Sequence, residues 1–332
     1  METGPKVGIA LASIVILVLV IVLPIVLTGN GATPTALPRA VQPPTYVSPP
    51  GLMTKYSECG PIDYVTTWVD LLDEEWHKEY TKATGHTFEP TPNGEIFYTI
   101  RSVRRYMPWI RNIYVLTQRP QRPSWADEEG VTIVHHDECG LEEPTFNGMV
   151  TRTLVPHIPG LADRYITGDD DTCFMKPRVP EDYFRGMVPK MRCVRHASET
   201  PSDDMSLFDV IVHNTFEHLR DTCGFKGPVG QSSMHMVYPV NKAYALRALE
   251  AMNSKPPTFG AKRSREDIEF FVTYYPTYVV THEQYILSDA KHGDWEHGMD
   301  IEPYETLNFA RENSLFEEAK VLLDNRFGER PW

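Results

Sequence analysis

Ile62-Asp63-Tyr64-Val65-Thr66-Thr67-Trp68-Val69-Asp70 is the stretch that decides the fold. From Ile62 to Val69 the residues are mostly β-branched or aromatic, with no Gly or Pro, which is the composition of a buried strand. The run reaches Asp70 just before Asp73-Glu74-Glu75-Trp76, an acidic opening suited to a helix N-terminus. Asp70 is therefore expected at the C-terminal end of a strand, and in open α/β sheets such ends form the ligand crevice.

Reading outward, Asn93-Gly94 marks a turn, and Ile96, Ile100, Val103 and Met107 recur on one face of an amphipathic helix that Pro108 stops. Strands are predicted at Asn112 to Thr117 and at Val131-Thr132-Ile133-Val134, the latter running into His135-His136-Asp137-Glu138. Met149 to Val155 reads as a helix. Arg164-Tyr165-Ile166-Thr167 reads as a strand that enters Gly168-Asp169-Asp170-Asp171 directly. Alternating strands and helices at this spacing predict an α/β core with parallel pairing. Residues 177–230 are less periodic and read as an insertion of loops and short helices. After them come a short strand or loop at His235-Met236-Val237-Tyr238-Pro239, a helix from Lys242 to Met252, and a helix opened by Ser264-Arg265-Glu266-Asp267 and running to about Tyr275.

The chain has 332 residues, 41% of them hydrophobic, enough for one full-sized core. Val7 to Thr28 is a run of 22 uncharged, mainly aliphatic residues, about the length that crosses a bilayer as a helix. It is read as a transmembrane signal anchor behind a short tail at 1–6, with a cleaved signal peptide as the alternative. Pro34, Pro38, Pro43, Pro44, Pro49 and Pro50 make 29–56 an extended stalk. Residues 57–332 then form one domain, expected outside the cytoplasm or in a lumen such as that of the Golgi, as in a single-pass type II membrane protein. The net charge is −13, and such an acidic body repels a polyphosphate backbone, so nucleic acid is not an expected partner. Self-association stays open. Cys59, Cys139, Cys173, Cys193 and Cys223 show no C-x-x-C spacing, and two bridges plus one free thiol would suit a lumenal compartment.

Three consecutive carboxylates, Asp169, Asp170 and Asp171, raise one another's pKa unless a cation joins them. Hard oxygen donors favour Mg²⁺ or Mn²⁺, and the competing reading is a turn with Asp side chains capping backbone amides. Asp70 shares the expected sheet end, and Asp63 is a weaker candidate upstream. His235 suits a general base, or else a satisfied structural histidine. Arg263, beside the helix opening, could clamp a phosphate or pair with Glu266 or Asp267. Arg101 lies off the apolar face of its helix, for solvent or for a phosphate or other acidic partner. Of the two adjacent histidines, His136 is the better candidate for a site.

Taken in order, the segments 62–76, 95–117, 157–174 and the pair 235–239 with 262–267 resemble the four conserved regions of the Stealth proteins. These include bacterial capsule sugar-phosphate transferases and the lysosomal-enzyme N-acetylglucosamine-1-phosphotransferase. The resemblance implies a Rossmann-like or GT-A-like domain with a mixed, mainly parallel sheet. It implies transfer of a hexose-1-phosphate, N-acetylglucosamine-1-phosphate first among them, from a UDP-sugar donor to a hydroxyl of a glycan or glycoprotein acceptor, with release of UMP. Carried over by position, Asp70, His235 and Arg263 are expected to be catalytic, and Asp170 and Asp171, with Asp169, to bind metal. Asp63, Arg101, Asn147 and His136 are expected at the substrate. Two positions depart from the pattern. Asp169 stands where relatives have Asn, and Arg152 stands where relatives often have Glu after an F-N-S run that here reads Phe146-Asn147-Gly148. His235 is read as base or as nucleophile. The alternatives are a metal-dependent GT-A glycosyltransferase, which would release UDP, and a non-catalytic, membrane-anchored glycan-binding protein.

Overall fold

The structure is a computed structural model that describes residues 59–87, 89–90, 94–190, 195–196, 204–224, 230–231, 237–253, 260, 262–268, 292–294, 296, 299–302, 304–309 and 316–329. By compactness the chain divides into Met1–Pro44 and Thr45–Trp332, and every described residue belongs to the second unit.

The central sheet has five strands: β1 (Ile62–Thr67), β2 (Ile113–Thr117), β3 (Thr132–His135), β4 (Arg164–Gly168) and β10 (Val237–Asn241), in the order β10-β4-β1-β2-β3. The pairs β4-β1, β1-β2 and β2-β3 are parallel, with Thr66 opposite Gly168 and Tyr64 opposite Ile113. β10 runs antiparallel on the edge, where Pro239 costs no ladder bond on the outer side. The period of two then sorts the side chains. Ile62 and Tyr64 of β1, Ile113 and Val115 of β2 and Ile166 of β4 enter one core with helix α2 (Glu95–Tyr106). Val65, Tyr114, Leu116 and Tyr165 enter another. Both faces are covered, as a parallel sheet requires.

Helix α1 (Glu74–Thr84) starts where Asp73 accepts from the backbone N–H groups of Glu75 and Trp76, and ends at Gly85 in the left-handed region. Helix α3 (Gly148–Leu154) is capped by Asn147. β5 (Thr172–Phe174) returns from the end of β4, and the one-turn helix α4 (Pro180–Tyr183) follows it. The short strands β6 (Phe184–Arg185) with β7 (Val188–Pro189), and β8 (Arg195–His196) with β9 (Gly230–Gln231), form two small antiparallel pairs. Helices α5 (Leu207–Cys223) and α6 (Lys242–Asn253) contribute to the second core. A second sheet orders β11 (His292–Asp294), β12 (Thr306–Asn308) and β5, and helix α7 (Phe316–Phe327) contributes to the first core.

Several expectations need correction. The stretch 177–230 holds a 17-residue helix, α5; its apolar stripe of Val212, Phe216 and Leu219 is interrupted by the buried polar residues His213 and Thr215, which blurs the helical period. Ser264–Ile268 are not helical; the continuation towards Tyr275 lies outside the described residues. Cys59, Cys139 and Cys173 are free thiols, so two bridges cannot form. Among the described residues no helix is long and apolar enough to cross a membrane; the expected anchor and stalk lie outside the described residues.

Candidate functional site

The C-terminal end of β4 delivers Asp169, Asp170 and Asp171, beside the end of β1 that leads to Asp70. What permits the turn is Gly168. A Cβ there would stand 2.8 Å from the Tyr64 hydroxyl and 2.9 Å from Val237 Cγ1, closer than a side chain tolerates. Tyr64 is fully buried, its hydroxyl has no hydrogen-bond partner among the described residues, and it lies against the loop. Burial and then the negative charge of Asp169 keep it protonated well above the ordinary tyrosine value. Burial, followed by the charges of Asp171, Glu95 and Asp169, pushes the Asp170 carboxyl well above the usual carboxylate range.

Helix α2 supplies the other wall. Its first residue, Glu95, is buried and electrostatically coupled to Asp170. One turn on, the Thr99 hydroxyl donates to the Asp170 carbonyl at 2.8 Å, and the Phe174 N–H donates to Ser102 Oγ at 2.9 Å. The face Glu95, Thr99, Ser102 is thus fastened along the acid loop. The predicted apolar face of this helix (Ile96, Ile100, Val103) gave no sign of Glu95; the signal available was a carboxylate in the first turn after Asn93-Gly94.

A second junction gathers the other motifs. Phe146 forms a parallel bridge with Lys262. Asn147 is fully buried: its Oδ1 accepts from the Met149 N–H at 3.0 Å, and its Nδ2 donates to Asp267 Oδ2 at 2.9 Å and to the carbonyls of Gly260 and Lys262 at 3.3 Å each. Asp267, also fully buried, accepts in addition from the Ser264 N–H at 2.8 Å. Asn147 therefore positions α3 and 262–267 and has no donor left for a ligand. The Asp267 carboxylate is occupied, and Arg263 beside it is exposed.

At the end of β1, Asp70 accepts from the Leu72 N–H at 2.9 Å, and its own N–H donates to Gln121 Oε1 at 2.9 Å. Gln121, which the sequence did not single out, is buried and also donates to Asp73 Oδ2 at 3.0 Å. His136 begins a 3-10 turn just past β3, at the same end of the sheet. Burial, then the neighbouring His135, lowers its pKa to about 4, so it is neutral at pH 7. His235 lies outside the described residues.

Asp63 and Arg101 correct the expectation of substrate contact. Asp63 sits at the second residue of β1, away from the strand's C-terminal end. Its buried carboxylate takes Arg111 Nε at 2.9 Å and Nη2 at 2.6 Å, the Asn112 N–H at 3.1 Å and the Ala162 N–H at 2.7 Å. Arg101 bonds Glu129 Oε1 and the Phe327 carbonyl, at 2.9 and 2.8 Å, and lies over the Phe97 ring. Both hold loops and α7 to the core.

Among the described residues no three His, Cys, Asp or Glu side chains converge as a metal cage. Mg²⁺ is ordinarily held by one or two carboxylates with substrate phosphates and water. Asp170 and Asp171 fit that demand: they are hard oxygen donors, and Asp170 resists ionisation beside its neighbours.

The fold and this acid-lined strand end define an α/β domain of the kind that binds ligands at the carboxyl ends of its strands. Residues 91–191 match the family profile of Stealth protein CR2, conserved region 2, and over that stretch the chain resembles the Stealth proteins. It is similar to a capsular polysaccharide phosphotransferase of Haemophilus influenzae, 34% identical over 236 residues, covering 64% of this chain and 65% of that protein. A capsular polysaccharide phosphotransferase of Neisseria meningitidis serogroup B is 30% identical over 141 residues, 37% of this chain and 38% of that one. The chain thus spans 38% and 65% of the length of these two relatives. Among solved structures, a bifunctional glycosyltransferase, WbbM, is similar over 82% of this chain and 50% of its own, with 10% identity and a TM-score of 0.45.

Proposed function

We propose that the protein transfers a hexose-1-phosphate, with N-acetylglucosamine-1-phosphate as the first choice, from a UDP-sugar to a hydroxyl of a glycan or glycoprotein. The observation that carries this reading is the similarity over 64% of the chain to a capsular polysaccharide phosphotransferase. The carboxylates gathered at the end of β4 support it.

The acceptor oxygen attacks the β-phosphorus of the donor. The bond from that phosphorus to the oxygen bridging to the α-phosphate breaks, and UMP leaves with its electron pair. His235 takes the acceptor proton as general base. The exposed Arg263, on a segment held by Asp267 and Asn147, offers its guanidinium to the phosphoryl oxygens. Asp170 and Asp171 would hold Mg²⁺ or Mn²⁺, which when bound offsets the diphosphate charge. Asp70 lies at the adjoining strand end as a third acidic group. Residues 7–28 would anchor the chain in a lipid bilayer.

The test supplies the full chain with UDP-N-acetylglucosamine, Mg²⁺ and a panel of sugar acceptors, and measures UMP and UDP separately. UMP that requires acceptor, cation and Asp170 is the expected result. UDP as the product would replace this reading with ordinary glycosyl transfer, and neither nucleotide across several UDP-sugars would replace it with glycan binding.

A further inference from the structure

The two departures from the family pattern meet in one contact. Arg152 Nη2 lies 2.9 Å from Asp169 Oδ1, with the two side chains only 19% and 24% exposed. A pair so sheltered interacts more strongly than an ion pair on open surface.

We infer that Arg152 is a positioning residue for the acid loop: by holding Asp169 in an ion pair it removes one of three consecutive carboxylates from cation binding and leaves Asp170 and Asp171 to meet the ion. This inference rests on the reading above, that a divalent cation binds here. Arg152 is suited to the task because it is fixed from both ends. It stands in the last turn of α3, where the helix C-terminus favours a cation. The first turn of the same helix is pinned by Asn147, which also binds Asp267 and the carbonyls of Gly260 and Lys262. A guanidinium on so short and anchored a helix keeps its place relative to the loop. The loop itself is also held by Thr99, whose hydroxyl donates to the Asp170 carbonyl. One series of contacts therefore runs from the segment bearing Arg263, through Asn147 and α3, to Arg152 and Asp169. The charge that Asp169 adds is cancelled locally by the charge of Arg152.

The pair predicts changes of opposite sign. Arg152→Gln frees Asp169 and adds negative potential at Asp170 and Asp171, so Mn²⁺ should bind about tenfold more tightly. Asp169→Asn leaves the Arg152 cation uncompensated beside the same two residues, so Mn²⁺ should bind about tenfold more weakly. The double substitution should return affinity close to that of the unaltered protein, and Arg152→Lys should retain most of it. The experiment titrates the full chain with Mn²⁺ alone, reading bound metal by electron paramagnetic resonance, with melting temperature as the check on folding. Opposite shifts that cancel in the double variant support the inference. Equal weakening in both single variants, as from simple loss of structure, overturns it, and so does no change in either. If Arg152→Gln does not fold, the Asp169→Asn arm decides alone, with unchanged or tighter binding counting against. Assaying UMP in parallel separates the two claims. Opposite Mn²⁺ shifts in a protein that forms no UMP support the positioning role and reject the transfer reading. UMP formation with Mn²⁺ affinity unmoved by either substitution rejects the positioning role alone.

Discussion

Asp170 shows how one residue can oppose the stability of the fold that buries it. Burial and three neighbouring carboxylates raise its pKa, so its folded value exceeds its unfolded one, and holding it ionised at neutral pH destabilises the fold. Asp170→Asn removes that strain, and in metal-free buffer the variant should melt higher than the parent. Mg²⁺ should raise the melting temperature of the parent and leave the variant unmoved. A variant that melts lower without metal would mean that Asp170 is satisfied by partners inside the fold. His136 works in the opposite pH range. Its pKa falls from 6.5 unfolded to about 4 folded, so the unfolded chain binds the extra proton first. The stability it supports is complete above pH 6.5 and is lost as pH falls towards 4, by about 3 kcal/mol if the whole shift is expressed. Urea denaturation at pH 7 and pH 4.5 should show a smaller acid loss in His136→Gln than in the parent, and equal losses would assign the acid sensitivity elsewhere.

At the scale of elements, α3 and the 262–268 segment behave as one unit because a single buried carboxylate joins them. Asp267 takes the Ser264 N–H and the Asn147 amide together. Asp267→Ala takes the acceptor from the Ser264 N–H and the shortest of three acceptors from the Asn147 amide, a loss of about 2 kcal/mol. Hydrogen exchange should then quicken in 147–154 and 262–268 while β1, β2 and β4 keep their protection; uniform quickening would show that the junction supports the whole domain. This junction was half legible in the sequence. Ser264 and Asp267 have the spacing of a capping box, yet 264–268 are not helical, and the Asp267 side chain also serves Asn147, 120 positions away in the chain. Local spacing carries no trace of such a partner. The strands were legible because β1, β2 and β4 are buried on both faces, so their composition alone identifies them. α5 was not, since buried His213 and Thr215 interrupt its stripe. Asp169 to Asp171 could be read from three like charges after a strand, whereas Glu95 and Tyr64 reach the same loop only through the fold.

Across the whole molecule, α2 is the plate on which these parts are mounted: one face fastens the acid loop, and another is held by α7, more than 200 residues later. Tyr98 donates to Asp324 Oδ1 at 2.6 Å, Arg326 Nε donates to the Tyr106 hydroxyl at 2.8 Å, and Arg101 reaches the Phe327 carbonyl at 2.8 Å. On the same helix Leu323 is fully buried in the core that also contains Ile96, Ile100 and Val103. The sequence placed Arg101 on a solvent or substrate face because nothing in its own neighbourhood announces a helix arriving from the far end of the chain. Leu323→Ala should cost about 3 kcal/mol through the cavity it leaves, seen as a lower urea midpoint with an unchanged slope. The rise in melting temperature on adding Mg²⁺ should survive, because Thr99 fastens the loop directly to α2 and Ser102 fastens the β5 strand that follows it. If the response to Mg²⁺ disappears along with the stability, α7 is itself part of what holds the carboxylates in register, and the acid loop depends on the whole first core and not on α2 alone.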